Sequence, residues 1–182
     1  VTAASSVPGG EPRSGTAAAP RLALRTEVCR RLGIERPIFG FSHEIDVVVA
    51  ITRAGGFGVF GVAREDPQHI PAQLAKLRAA LGDRPYGVGL MLPAGMPDTA
   101  DPAAIAARIP QAHREFVAGL RDKYAVPPAS RGNFFSSFVR SKALFEQQIE
   151  AVLASDADVV ATAVGLPPEV IARAKAAGKT TL

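Results

Sequence analysis

The chain has 182 residues, 47% of them hydrophobic, 21% charged and only 6% aromatic, a composition typical of one globular domain. Lys and Arg outnumber Asp and Glu by 21 to 17 and are scattered along helical stretches, which argues against a nucleic-acid partner. A single cysteine cannot form an internal disulfide, and one cysteine with three histidines gives too few ligands for a structural metal site. No apolar run approaches the roughly 20 residues that span a membrane. We therefore expect a cytoplasmic protein.

The first twenty residues are rich in Ala, Pro, Gly and Ser, and they lack the charged start and apolar block of a secretory signal. We therefore predict that residues 1–20 form a disordered extension and that residues 21–182 form the folded domain. Within the stretch TEVCRRLGI, Cys29 is interpreted as a small buried helix residue and not as a reactive thiol.

From strand one onward, short β-rich apolar runs alternate with longer amphipathic stretches, a rhythm that predicts parallel strands joined by helices. Strand one is predicted at 37–41, PIFGF, and a helix follows at 46–54. Gly55 ends that helix, because glycine readily adopts the left-handed conformation found at helix ends. The glycines of AGGFG lie between this helix and strand two at 57–62, so they indicate a tight turn and not a phosphate loop.

The next helix is predicted to start at Asp66 and Pro67, which suit its cap and first turn, and to keep one apolar face until Gly82. Strand three follows at 85–92. The later predicted elements are a helix at 142–154, strand four at 157–164, a helix at 167–177 and a fifth strand beginning at 179–182.

The connection between strands three and four, residues 93–141, is much longer than an ordinary loop. We interpret it as a helical insertion followed by a loop. In a (β/α) barrel the carboxyl ends of the strands surround the active site, so the insertion is either a lid over the mouth or a surface ornament or oligomer contact. Its apolar residues at helical spacing are Ile105, Ile109, Phe116 and Leu120, and the loop phenylalanines are Phe134, Phe135 and Phe138.

Two polar residues, Ser42 and His43, follow strand one directly. They would place a hydroxyl and an imidazole at the carboxyl end of a strand, where barrel enzymes hold their ligands. Ser42 could instead cap the following helix, and His43 could be a structural residue. His43 is the catalytic candidate that the sequence offers, with that structural alternative left open.

Glycines mark two further positions near strand ends, Gly89 in YGVGLM and Gly165 in VGLP. Either glycine could let a flat ring approach the backbone, and simple packing explains them equally well. No Ser-His-Asp, Cys-His or paired-carboxylate constellation can be assembled from this sequence, which disfavours hydrolysis. An organic cofactor that brings its own reactivity fits such a site better.

Four segments occur in the order LGIERPIFGFSH, VAITRAGGFGVFG, RPYGVGLMLPA and ADVVATAVGLPPEVIARAKAAG. Together they resemble the amino-terminal half of the nitronate monooxygenase family, formerly called 2-nitropropane dioxygenases, over residues 24–182. The resemblance implies an α/β fold, a partial (β/α)₈ TIM barrel made of the first four to five β/α units with the helical insertion after strand three.

The resemblance also implies a flavin-dependent oxidoreductase that binds FMN at the barrel mouth and oxidises alkyl nitronates with molecular oxygen. By position, Phe41, Ser42 and His43 would contact the flavin ring, as would Gly89 and Gly165. Many members of the family have a Pro-Met pair after strand one and an Asn in strand three, where this chain has Ser42-His43 and Gly89.

The expected partners are a small-molecule substrate and oxygen, and a homo-oligomer is an open expectation. A complete barrel takes about 250 residues and builds its phosphate site after strands seven and eight, so the ring-facing positions are expected here without those phosphate loops. Two alternatives remain open at this point. One is an FMN-dependent enoyl-thioester reductase of the same barrel type, and the other is an inactive half barrel that acts only as an interaction module.

Overall fold

A computed structural model describes residues 25–98, 101–128 and 140–182. The predicted extension at 1–20 and the loop with Phe134, Phe135 and Phe138 lie outside these residues. In chain order the elements are α1 Glu27–Leu32, β1 Phe39–Ser42, α2 Ile45–Arg53, β2 Phe57–Gly61, α3 Ile70–Leu81, β3 Gly87–Met91, α4 Pro102–Ala107, α5 Gln111–Lys123, α6 Lys142–Leu153, β4 Val159–Ala163, α7 Pro168–Ala176 and β5 Thr180–Thr181.

The five strands form one parallel sheet in the order β1-β2-β3-β4-β5. Strands that are neighbours in the sequence are therefore neighbours in space, with helices in the connections. A doubly wound sheet reverses its strand order at a switch point, whereas a (β/α) barrel adds each strand on the same side of the previous one. The α/β class and the partial barrel predicted from the sequence are confirmed.

The two faces of the sheet are distinguished by the side chains of β3. Val88 and Leu90 are buried in the core between the sheet and the helices, together with Leu77 of α3 and Val152 of α6. The intervening residues Gly87, Gly89 and Met91 belong to the opposite, concave face, because side chains alternate along a strand. The concave face is the side that becomes the interior of a barrel.

Helix α1 covers the lower part of the concave face, near the amino ends of the strands. Cys29, Leu32 and Ile34 pack there with Phe57 of β2 and Val159 of β4. Cys29 is only 2% exposed, which confirms its predicted burial in a helix. Above this cluster lies the upper concave face, which we define as Phe41, Gly61, Gly89, Met91 and Ala163 at the carboxyl ends of the strands.

Helix α3 begins at Ile70, four positions later than the predicted start at Asp66. The Asp66 carboxylate accepts a hydrogen bond from the Gln68 N–H at 2.9 Å. The backbone carbonyl oxygen of Asp66 accepts a second one from the His69 N–H at 2.8 Å. Asp66 therefore stabilises a turn before the helix and does not cap it. An Asp side chain suits either role, because it can accept a hydrogen bond from a nearby backbone N–H in both.

The insertion contains two helices, α4 and α5, separated near Pro110. Its two ends meet at the carboxyl edge of the sheet, where the Lys142 N–H donates to the Pro97 carbonyl oxygen at 2.9 Å. The Lys142 ammonium also lies 2.7 Å from the Asp98 carboxylate. The helical nature of the insertion is thus confirmed, and its role as a lid stays a prediction.

A polar network ties the amino ends of β3 and β4 together. The buried Tyr86 hydroxyl donates to Asp156 Oδ1 at 2.7 Å, and Arg78 Nε donates to Asp156 Oδ2 at 2.7 Å. The Arg78 guanidinium also lies over the Tyr86 ring, 4.6 Å from its centroid. In barrels this edge serves stability and not catalysis.

We expect Asp156→Asn to lower the urea midpoint near neutral pH. Burial would by itself raise the pKa of Asp156, but the hydrogen bonds from Tyr86 and Arg78 outweigh it and the pKa is lowered. The stability from this group is therefore present above the ordinary Asp pKa of about 3.9 and is lost as the pH falls through the lowered value. As the pH is lowered from about pH 6 to about pH 2, the urea midpoint should fall less steeply for Asp156→Asn than for the parent. The same pH dependence in Asp156→Asn as in the exposed control Asp122→Asn would contradict this.

Candidate functional site

The ring of Phe41 lies across two glycines on the upper concave face. A Cβ atom added to Gly61 would lie 2.7 Å from Phe41 Cε2, and one added to Gly89 would lie 2.9 Å from the same atom. Gly61 and Gly89 are also paired in the sheet register. Only glycine at both positions leaves this strip flat enough for an aromatic ring. The side chain of Phe41 is still 60% exposed, so the strip opens outward.

The imidazole of His43 is held in one orientation beside this strip. Its Nδ1 lies 2.7 Å from the Gly61 carbonyl oxygen, and its ring meets the Phe41 ring edge-on with centroids 5.1 Å apart. A carbonyl oxygen can only accept, so Nδ1 carries a proton, and in the neutral form of the ring Nε2 has the free lone pair. His43 can thus accept a proton or a hydrogen bond from a ligand.

Ser42 has a local role in the turn before α2. Its Oγ accepts a hydrogen bond from the Glu44 N–H at 3.0 Å, while the helix cap itself, Glu44, makes no side-chain bond. This resembles the capping alternative, but Ser42 stands two residues before the N-cap residue of α2. Because Ser42 alternates with Phe41 along β1, its side chain lies on the other face of the strand. A contact of Ser42 with a ring on the concave face would therefore use its backbone.

The loop after β4 places Gly165 against the backbone of Leu92. A Cβ atom at Gly165 would overlap the Leu92 carbonyl oxygen, which explains the glycine by close packing of two chain segments. The residue before it, Val164, has a φ of 68°, an uncommon value for a β-branched residue. This loop borders a cleft of about 460 Å³ on the helix side of β3 and β4. The structure thus brings Phe41, His43 and Gly89 together, and it places Gly165 against Leu92 and Pro93.

Gln148 holds the loop after β2 in place, a contribution that we did not predict. Its side chain is fully buried, and Nε2 donates to the Val62 and Glu65 carbonyl oxygens at 3.2 and 2.9 Å. The signal was present in the sequence, because Gln148 occupies a position in the apolar stripe with Phe145 and Val152 of α6. A polar residue within such a stripe indicates a buried hydrogen bond.

Glu65 lies in that same loop and interacts with the histidines near the mouth. Burial raises the pKa of Glu65, and the opposing effects of His69 and His43 do not cancel it. A carboxyl group with a raised pKa keeps its proton closer to neutral pH than an ordinary glutamate does. His43 and Glu65 are therefore two titratable groups that follow the carboxyl ends of β1 and β2.

Two further findings concern other kinds of site. Within the described residues, no group of three or more His, Cys, Asp or Glu side chains is placed to hold a metal ion. None of the helices in the same part of the chain is both long and apolar enough to cross a bilayer.

Comparison with known proteins identifies relatives of the same architecture. A model of the nitronate monooxygenase family matches residues 30–182. The Mycobacterium tuberculosis protein Rv1533, whose name describes it as a candidate monooxygenase, is 33% identical over 153 residues, which are 80% of this chain and 40% of that protein.

Solved structures show the same fold at lower identity. FabK from Thermotoga maritima superposes with a TM-score of 0.54 at 19% identity, covering 86% of this chain and 36% of FabK. Nitroalkane oxidase from Streptomyces ansochromogenes superposes with a TM-score of 0.51 at 22% identity, covering 80% of this chain and 37% of the oxidase. The chain thus spans well under half the length of each of these proteins.

Proposed function

Because this chain belongs to the nitronate monooxygenase family, we propose that it carries the flavin-ring side of a site that uses FMN to oxidise alkyl nitronates with molecular oxygen. The observation that supports this most directly is the flat strip of Gly61 and Gly89, on which an aromatic ring already rests. Phe41, Ser42, His43, Gly89 and Gly165 remain the proposed cofactor-binding residues.

The residues at the mouth fit a planar ring system. The strip lacks side chains at both glycines, and the Phe41 ring shows that a flat aromatic group can lie against it. A flavin ring would either stack on Phe41 or take its place after a rotation of the half-exposed side chain. When bound, FMN supplies the electron acceptor that protein side chains lack.

The side chains around the strip have distinct roles in this proposal. The Nε2 atom of His43 accepts a proton or a hydrogen bond from the ligand, since Nδ1 donates its hydrogen bond to the Gly61 carbonyl oxygen. Phe41 shields the strip from water. The insertion would cover the mouth as a lid, because both its ends meet at the carboxyl edge of the sheet.

Oxygen consumption tests the proposal. The purified chain, supplied with FMN, is expected to consume oxygen when propyl-2-nitronate is added. Reduction of a crotonyl thioester by NADH or NADPH would instead favour the enoyl-thioester reductase. If neither reaction occurs, whether or not flavin is bound, the result would favour the interaction module.

Substitution of His43 tests its part in this reaction. We expect His43→Gln to lower the rate of nitronate oxidation by about 100-fold, the usual contribution of a side chain that handles a proton in the transition state. The matched control is His113→Gln on the exposed surface of α5, which should keep the parent rate. Equal rates for both variants would assign His43 a structural role.

A further inference from the structure

Helix α5 has an apolar stripe that its own chain leaves exposed. Phe116, Leu120 and the cap residue Tyr124 recur every four residues, so they lie on one face of the helix together with Val117. Phe116 is 66% exposed, and within the described residues no side chain of α5 is buried. An amphipathic helix of a globular protein ordinarily buries its apolar face. The stripe therefore has the character of an interaction surface.

The charged residues of α5 are ordered around this stripe. Arg121 borders it on one side and Lys123 on the other, whereas the carboxylates of Glu115 and Asp122 lie on the opposite face, about half a turn away. Neither cation forms an ion pair with another described residue. Positive charge thus borders the stripe, which suits an apolar surface with an acidic rim.

The cleft beside the loop after β4 is an apolar surface of matching size. Its volume of about 460 Å³ lies in the range of pockets that enclose apolar groups, about 300–1,000 Å³. The loop after β3, helix α6 and the start of α7 supply its large apolar lining residues, which are Leu92, Met96, Phe145, Ile149, Leu166 and Val170. No residue of α5 lines this cleft, so the stripe of the same chain does not fill it.

The rim of the cleft is acidic. Lys142 is neutralised by Asp98 at 2.7 Å, and Glu146 is neutralised by Arg173 at 2.8 Å. Glu169 is exposed at the rim, and no cation in the described part of the chain lies within ion-pair distance of it. The charge that remains at the cleft is therefore negative, opposite to the charge that borders the stripe of α5.

We propose that α5 docks in this cleft on a second copy of the chain. The apolar stripe covers the apolar lining, and Arg121 and Lys123 lie at the acidic rim. The two copies exchange their helices about a two-fold axis, so that the same contact forms twice and the assembly closes as a dimer. This inference concerns assembly and does not depend on the oxidation proposed above. Because Gly165 also lines the cleft, the insertion of one copy reaches the carboxyl edge of the sheet of the other.

Sedimentation velocity over a dilution series of the full chain tests the proposal. We expect the parent chain to form a dimer and Phe116→Lys to raise its dissociation constant by at least about 10-fold, because large aromatic side chains dominate binding at such contacts. Leu166→Lys, at an exposed position of the cleft lining, should have a similar effect. The matched control Ala118→Lys adds the same charge on the opposite face of α5 and should match the parent.

An equimolar mixture of Phe116→Lys and Leu166→Lys identifies the two surfaces as partners. Each variant alone has a defect in both contacts of its dimer, whereas the mixed dimer has one intact contact. The mixture should therefore associate more tightly than either variant does alone. A mixture that associates no better than the two variants would show that α5 and the cleft do not bind each other.

Other results would also overturn the inference. They are a parent chain that stays monomeric at every concentration, or a parent-like dissociation constant in folded Phe116→Lys or Leu166→Lys. A monomer that cosediments with phosphatidylglycerol vesicles would instead assign the stripe to an anionic lipid surface. Circular dichroism checks the folding of each variant. Arg121→Glu replaces Phe116→Lys, and Glu169→Lys replaces Leu166→Lys, if the first choice is unfolded, and each should again raise the dissociation constant.

Discussion

Gly165→Ala is expected to lower the free energy of unfolding by roughly 3 kcal/mol, at the upper end of the cost of overpacking. The added methyl group would overlap the carbonyl oxygen of Leu92 and lie 2.9 Å from its carbonyl carbon. These are backbone atoms, and the Leu92 N–H is itself bonded to the Ala163 carbonyl oxygen at 3.0 Å. Leu92 therefore cannot move aside without breaking the contact between β3 and β4.

Urea denaturation checks this expectation, with Gly119→Ala as the matched control. Gly119 lies inside helix α5 with no atom within 4 Å of an added Cβ, so alanine there should leave stability unchanged or raise it by about 0.5–1 kcal/mol. Equal midpoints for the parent and for Gly165→Ala would show that the loop after β4 is free to shift. In that event close packing would no longer explain the glycine, and its use for approach of a ring would gain support.

Much of the fold was predictable because its signals are local. The alternation of short apolar runs with amphipathic stretches defines each β/α unit within about 25 residues, and a helix end such as Gly82 needs only its own neighbours. Asp66 shows the limit of this approach. Its side chain suits a helix cap and a turn equally, and the choice depends on packing around Ile70, which is fully buried.

The site was less predictable because it depends on register between strands. The sequence drew attention to Gly89 and His43, but it gave no reason to pair them with Gly61. That pairing follows from the alignment of β2 with β3 and from the direction of the Phe41 ring. Gln148 is 86 residues from Val62 along the chain, so no local pattern could identify its hydrogen-bond partner.

A final expectation concerns Gln148, whose amide crosses from α6 to the loop that carries Glu65. Removal of the donor leaves the Glu65 carbonyl oxygen without this partner, whereas the Val62 carbonyl oxygen still accepts from the Glu65 N–H at 2.9 Å. A buried polar group that loses its partner costs roughly 1–3 kcal/mol. Gln148→Met keeps much of the volume, and it also removes Oε1, which is buried without a hydrogen-bond partner among the described residues. The free energy of unfolding should therefore fall by roughly 1–3 kcal/mol, and by the same amount at every pH.

Gln148→Glu should be at least as harmful, and its loss should grow with pH. An ionised carboxylate cannot donate, and it would face two carbonyl oxygens in a fully buried position, so its pKa in the folded chain must lie above the unfolded value of about 4.3. A group with a raised pKa retains its stability below the unfolded pKa and loses it as the pH rises through the folded one. Urea unfolding at about pH 5 and about pH 8 should give a larger deficit for Gln148→Glu at the higher pH and an equal one for Gln148→Met. If the stability deficits of the two variants changed with pH in the same way, water would reach this amide. The loop that contains Glu65 would then be held by solvent-exposed contacts and not by buried hydrogen bonds.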